Sequence, residues 1–196
     1  MVMTDSPGVL LVSEYPDSTD ALQKTLKECG YQIQSHVTVQ DDLIEEVSRC
    51  QPDVIVVQTE TTSQYFMNQL YNLNQETPRP IVIFTDKSES GLIDSAIKAG
   101  VSAYVVDGLV SERVKPVIEI ARARFEHDQQ LREELSKTKS QLEERKTIER
   151  AKGIIMKSRK LSEDEAYKAL RKLAMNRNQR LIDVATDVIS VSELLI

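Results

Sequence analysis

The chain of 196 residues predicts an α/β fold: a doubly wound five-stranded parallel sheet, followed by a long helix and a module of three short helices. Three observations lead there. Within the first 124 residues, apolar runs of strand length alternate with helical patterns. Two of those runs, GVLLVS (8–13) and DVIVVQ (53–58), are apolar on both faces, as parallel strands covered by helices are. Beyond Ser111 no glycine occurs before Gly153, and no proline follows Pro116, so nothing interrupts a helix there.

Strand one, Gly8 to Ser13, is followed by an amphipathic helix from about Ser18 to Cys29. Tyr31 to Val39 reads as strand two, Asp42 to Cys50 as a helix, and Asp53 to Gln58 as a buried, β-branched strand three. Tyr65 to Asn74 supplies a helix and Pro80 to Thr85 strand four. Ser90 to Ala99 forms a helix ended by Gly100, and Ala103 to Asp107 is strand five. Ser111 caps the helix that follows. Such an alternation places a ligand crevice at the carboxyl ends of the strands.

The long helix carries a short, mixed heptad seam. Ala121, Asp128, Leu135 and Leu142 fall at position a, and Leu131 at d with Arg124, Thr138 and Arg145. That seam either pairs with a second chain, giving a homodimer through the linker helix, or is a solvated spacer. Beyond it, the first of the three short helices runs to about Ser158, and Arg159, Lys160 and Leu161 form a basic connector. Ser162 stands three residues before Glu165, a capping box that starts the next helix. Ala166, Leu170, Leu173 and Ala174 line one face of that helix, Asn178 stops it, and Leu181, Val184, Ala185, Val188 and Ile189 line the last. Three domains are expected: 1–124, a helical linker 125–145, and a helical domain 146–196.

With 40% hydrophobic and 29% charged residues, six glycines and six prolines, the composition is that of a soluble, helix-rich protein. No stretch approaches the roughly 18 apolar residues of a membrane span, and the start MVMTDSPG has no signal-peptide pattern, so a cytoplasmic protein without membrane contact is expected. Cys29 and Cys50 lie far apart without a CxxC pattern, and His36 and His127 stand alone. Neither disulfide, metal nor cofactor is expected. No nucleophile and base pair or phosphate-binding glycine loop appears, which argues against an enzyme with catalytic residues.

Charge is uneven. Residues 1–124 hold ten basic and eighteen acidic side chains, whereas 145–180 hold twelve Lys or Arg against four acids. An acidic protein with one basic segment has the footprint of phosphate-backbone binding, or of a solvated helical face.

Residues 8–124 resemble the receiver domain of bacterial response regulators, a flavodoxin-like fold. In that family acidic residues after strand one hold magnesium, an Asp ending strand three accepts phosphate, a Thr or Ser follows strand four and a Lys follows strand five. The matching positions here are Ser13 and Glu14, Gln58, Thr85 and Asp107. An amide has no carboxylate to attack a phosphoryl donor, and Ser13 and Gln58 remove two anionic ligands for a hard cation. The domain is therefore read as a degenerate receiver lacking the phospho-acceptor.

The runs ERAKGIIMK (149–157), LSEDEAYKALRKLAM (161–175) and LIDVATDVI (181–189) resemble the ANTAR domain of bacterial transcription antitermination regulators, across about residues 140–192. The stretch FTDKSESGLIDSAIKAGVSAYVVDGL (84–109) looks like the nitrate-assimilation regulators of the NasT type, with AmiR-type amidase regulators as relatives. The resemblance implies binding to paired stem-loops of leader RNA, control of nitrate or nitrite assimilation genes, and a NasS-like sensor protein in place of phosphorylation. Lys152, Lys157, Arg171 and Arg177 suit phosphates and loop bases, and Ala151, Gly153 and Met156 either allow close approach or pack against the second helix. A DNA-binding response regulator and an AmiR-type antiterminator are the alternatives.

Overall fold

Strand β1 (Gly8–Ser13) is buried along its whole length, which requires helices on both faces of the sheet it enters. The computed structural model, which describes residues 6–15, 19–60, 63–86, 91–106 and 110–194, supplies them. Strands β2 (Gln32–Thr38), β3 (Val54–Thr59), β4 (Ile81–Thr85) and β5 (Ala103–Val105) join β1 in one parallel sheet of order β2-β1-β3-β4-β5. This is the doubly wound order whose direction reverses between β1 and β3, so the crevice opens over the ends of those two strands.

Period-two alternation divides the strand residues between two cores. Leu10, Val12, Ile55, Val57, Ile81 and Ile83 pack with α2 (Leu43–Cys50), α3 (Gln64–Glu76) and α4 (Leu92–Lys98). Val9, Leu11, Val54, Val56, Val82 and Phe84 pack on the opposite face against Leu22 and Leu26 of α1 (Asp20–Glu28) and Val114, Ile118 and Ala121 of α5 (Ser111–Arg159). Asp42 caps α2 through the backbone N–H groups of Ile44 and Glu45, and Ser63 caps α3 through that of Phe66. Gly100 closes α4 with a φ of 80°, the left-handed region that favours glycine.

The expected elements are present with ends moved by one or two residues. Strand β3 continues to Thr59, so Gln58 is its penultimate residue. Ser111 is not a cap but the first residue of α5, and its hydroxyl accepts a hydrogen bond from Thr25 at 3.1 Å. Ser18, Ser90 and Asp107 lie outside the described residues.

The chain divides into two units, Met1–Gln129 and Gln130–Ile196. Helix α5 spans the division without a break, so the 125–145 segment is helix throughout. In the second unit, α6 (Glu163–Arg177) begins at the Ser162–Glu165 capping box and ends at Asn178, which takes a left-handed conformation with φ 52°. Helix α7 (Leu181–Leu194) completes a small core in which Ala151, Leu170, Ala174, Val184 and Ala185 are buried. Among the described residues no helix is long and apolar enough to cross a membrane.

Leu170 is fully buried at the centre of that core. Leu170→Ala should cost about 2–5 kcal/mol. A unit of this size holds about 3–10 kcal/mol on the usual per-residue scale. In the full-length variant, hydrogen exchange should therefore accelerate sharply at α6 and α7 amides while the sheet amides keep their protection. Uniform loss of protection across both units would contradict the division.

Candidate nucleic-acid interface

The crevice over the sheet gathers four of the five receiver-pocket residues singled out in the sequence, and Asp107 lies outside the described residues. Ser13 and Gln58 are register partners on β1 and β3, and Thr59 and Thr85 are register partners on β3 and β4. Ser13 is fully buried, and its hydroxyl lies 2.9 Å from His36 Nε2. Gln23 Nε2 approaches His36 Nδ1 at 3.5 Å and donates to Thr19 Oγ1 at 3.0 Å. The Thr59 hydroxyl donates to Glu14 Oε2 at 3.2 Å, and that of Thr85 to the Glu60 carbonyl at 3.1 Å. Hydroxyls, an imidazole and the single Glu14 carboxylate thus bond one another over the ends of these strands. Among the described residues no cluster of three or more His, Cys, Asp or Glu could hold an ion.

His36 stands alone in the sequence, but β2 pairs with β1 and brings it to Ser13. Only strand register reveals this. Burial pushes the imidazole pKa below its ordinary value of 6.5.

The basic segment sorts by burial and partner. Ala151 has no exposed surface and belongs to the helical core. Lys152 is 7% exposed, with Nζ 2.6 Å from Glu149 and 2.7 Å from Glu163. Those hydrogen bonds, to Glu149 first and then Glu163, push its pKa above the ordinary lysine value, and Lys152 holds the Glu163 carboxyl below its own. In this arrangement Ala151 and Lys152 therefore hold helices together, Ala151 with no free surface for a ligand and Lys152 with little. Met156 is half-buried. Gly153 is half-buried too, yet a Cβ built there meets nothing within 4 Å, so close helix packing is not what requires a glycine.

Lys157, Arg171 and Arg177 are exposed. Arg177 pairs with Asp187 at 3.4 Å, while Arg150 pairs with Glu193 and Arg180 with Asp183. Between 157 and 172, Lys157, Arg159, Lys160, Lys168, Arg171 and Lys172 make no ion pair among the described residues. Lys168, Arg171 and Lys172 stand three and four apart on the exposed side of α6, opposite buried Ala166, Leu170 and Ala174. In the sequence, Arg159, Lys160, Lys168 and Lys172 read as charge and not as site residues. Their spacing against the apolar face was the available signal.

Comparison with known proteins agrees with both units. Residues 136–189 match the family model of the ANTAR domain. The receiver-like half is similar in fold to the signal receiver domain of a modulated diguanylate cyclase from Desulfovibrio desulfuricans G20, with a TM-score of 0.55 and 18% identity over 63% of this chain and 99% of that one. A LuxR-family response regulator from Aurantimonas sp. SI85-9A1 gives 0.54 and 20% over 61% and 86%. The chain thus carries an ANTAR-domain match over residues 136–189 behind an amino-terminal unit with a receiver-like fold.

Its relatives are regulators by name. The chain is 28% identical to the transcriptional regulatory protein PdtaR of Mycobacterium tuberculosis over 86% of its own length and 82% of that protein's. It is 36% identical to the nitrate regulatory protein of Klebsiella oxytoca over 45% of this chain and 22% of that protein.

The lowered His36 pKa has a definite sign in stability. The contribution of the neutral, half-buried imidazole is complete above pH 6.5 and is lost as pH falls through the depressed folded value. The melting temperature of the sheet domain should therefore fall below pH 6.5 more steeply than in His36→Gln, whose amide retains a partner for Ser13. Parallel curves for the two proteins would refute the assignment.

Proposed function

We propose that the protein is an RNA-binding transcription antiterminator, acting on paired stem-loops of leader RNA to control nitrate or nitrite assimilation genes. The observation that carries this reading is the set of unpaired, exposed cations between Lys157 and Lys172 on an ANTAR unit of an otherwise acidic chain. Such a surface attracts phosphates over a broad area, and Arg171 and Arg177 add planar groups suited to unstacked loop bases. The likeness to a nitrate regulatory protein over 88 residues favours nitrate over amide signalling.

Several further features belong to the same reading. The protein works in the cytoplasm as a regulator and not as an enzyme. Gln58 offers no carboxylate for phosphorylation, so control comes from a NasS-like sensor protein that binds one state of the molecule better than another. Leu131, Leu135 and Leu142 on α5 are each half exposed, which supports pairing of this helix with a second copy.

Gly153 supports close approach of RNA. In mid-helix a glycine costs about 1 kcal/mol relative to alanine, and the fold leaves room for the methyl group. Its absence is explained if RNA occupies that space.

The test is binding of the full chain to a two-hairpin leader RNA across a salt series, with matched duplex DNA as control. Specific RNA binding is expected to survive moderate salt, and equal, steeply salt-dependent binding to both would overturn the reading. Lys157→Ala and Arg171→Ala should each weaken RNA binding about tenfold, the worth of roughly 1.5 kcal/mol for one hydrogen bond to a charged group. Neither should move the melting temperature. Gly153→Ala should do the opposite to stability, raising it by up to about 1 kcal/mol while weakening RNA binding. A variant that gains stability and keeps full affinity would remove Gly153 from the interface.

A further inference from the structure

The three helices of the second unit enclose a groove of about 780 Å³, within the size range of sites that take small organic groups. Ile155, Leu173, Val188 and Val191 make its apolar floor and sides, and Val191 is 55% exposed although apolar. Around the mouth stand three cations, Arg159, Lys172 and Arg177, against one acid, Asp187. Arg159 and Lys172 have no ion pair among the described residues. The Arg177–Asp187 pair joins α6 to α7 at 3.4 Å with both side chains about half exposed, a loose contact of small energetic weight.

We propose that this groove receives one unstacked nucleobase from the RNA loop, with the flanking phosphates held by Arg159 and Lys172. The proposal rests on the antiterminator reading and extends it from a charged surface to a base-accepting pocket. Phosphates alone gain nothing from an apolar floor, and an apolar ligand alone gains nothing from a cationic rim. A base carried on a sugar-phosphate backbone uses both. The rim charge selects this polyanion over a protein helix, because an apolar helix would leave Arg159 and Lys172 desolvated without partners. Asn176 lines the same groove and can donate to or accept from a base edge. Arg177 lies at the mouth, where its guanidinium plane can stack on the base once Asp187 releases it.

Entry of a base requires the groove to be open and the rim to be positive, so two variants test it independently. Val191→Trp fills the groove from an already exposed position, and Lys172→Glu reverses a rim charge on an exposed helix face. Both should leave the melting temperature of the full chain unchanged and weaken binding to the leader hairpin at least tenfold. A series of RNAs with one abasic site at each loop position then identifies the base. One position should weaken binding to the unmodified protein yet cost the Val191→Trp protein nothing further, as expected for two changes that remove the same contact. If the unmodified protein fails to bind the leader RNA, the functional reading itself falls. If it binds and both variants bind equally well, the RNA reading stands and the groove is not part of it. Unchanged RNA affinity with a shift in oligomeric state for Val191→Trp would assign the groove to a second copy and overturn the proposal.

Discussion

Little of the Lys152 side chain is open to water, and a charge held there is tolerated where opposite charge and hydrogen bonds replace part of its hydration. Glu149, one turn earlier on α5, and Glu163, the first residue of α6, do this from two sides. The second carboxylate matters most, because it fixes where α6 starts relative to the end of α5. The Ser162–Glu165 capping box fixes the same point from the backbone. With the start of α6 set, Leu170 and Ala174 meet Ala151, α7 covers them, and the exposed cations come to lie on the outer side. The pair has a bounded pH range. Glu163's contribution is present above its ordinary value of 4.5 and lost as pH falls through the lowered one. That of Lys152 is present below 10.5 and lost as pH rises through its raised value.

Charge in this unit is used in two ways that the sequence does not distinguish. Of the twelve cations between 145 and 180, Lys146, Arg150, Lys152, Arg177 and Arg180 have acidic partners within the described residues. The other seven do not. Paired cations offer a polyanion little, since a partner must be released for each contact made. The unpaired set is where the net field of the segment resides, and it is concentrated at the end of α5 and along α6.

The fold was largely legible in the residues because each signal had a single physical reading. GVLLVS and DVIVVQ can only be strands buried on both faces, and Ser162 with Glu165 marks a helix start that the structure places within one residue. The site was less legible. Lys152 sits in a basic run and reads as a phosphate ligand; its burial follows from Glu163 eleven residues later, which becomes a neighbour only when the helices turn back on each other. His36 likewise gains meaning only through the β1–β2 register, which no local pattern encodes. The apolar groove was hidden because the same aliphatic residues that line it also form the helical core, and periodicity marks a face without saying whether another helix fully covers it.

The receiver-like domain has the fold of receiver domains with different side chains at the crevice. A carboxylate cluster stores mutual repulsion that a metal ion and a phosphoryl group relieve, which is what makes such a pocket responsive. Here the buried Ser13 hydroxyl meets a neutral imidazole and the Glu14 carboxylate meets the Thr59 hydroxyl, so that source of response is reduced. Under the proposed function, a signal enters as differential binding at a surface. A binding partner can shift a two-state equilibrium only by the difference in its affinity for the two states. A regulator built in this way is limited by how tightly its partner grips one state, and a tight, reversible protein complex meets that requirement without a covalent step.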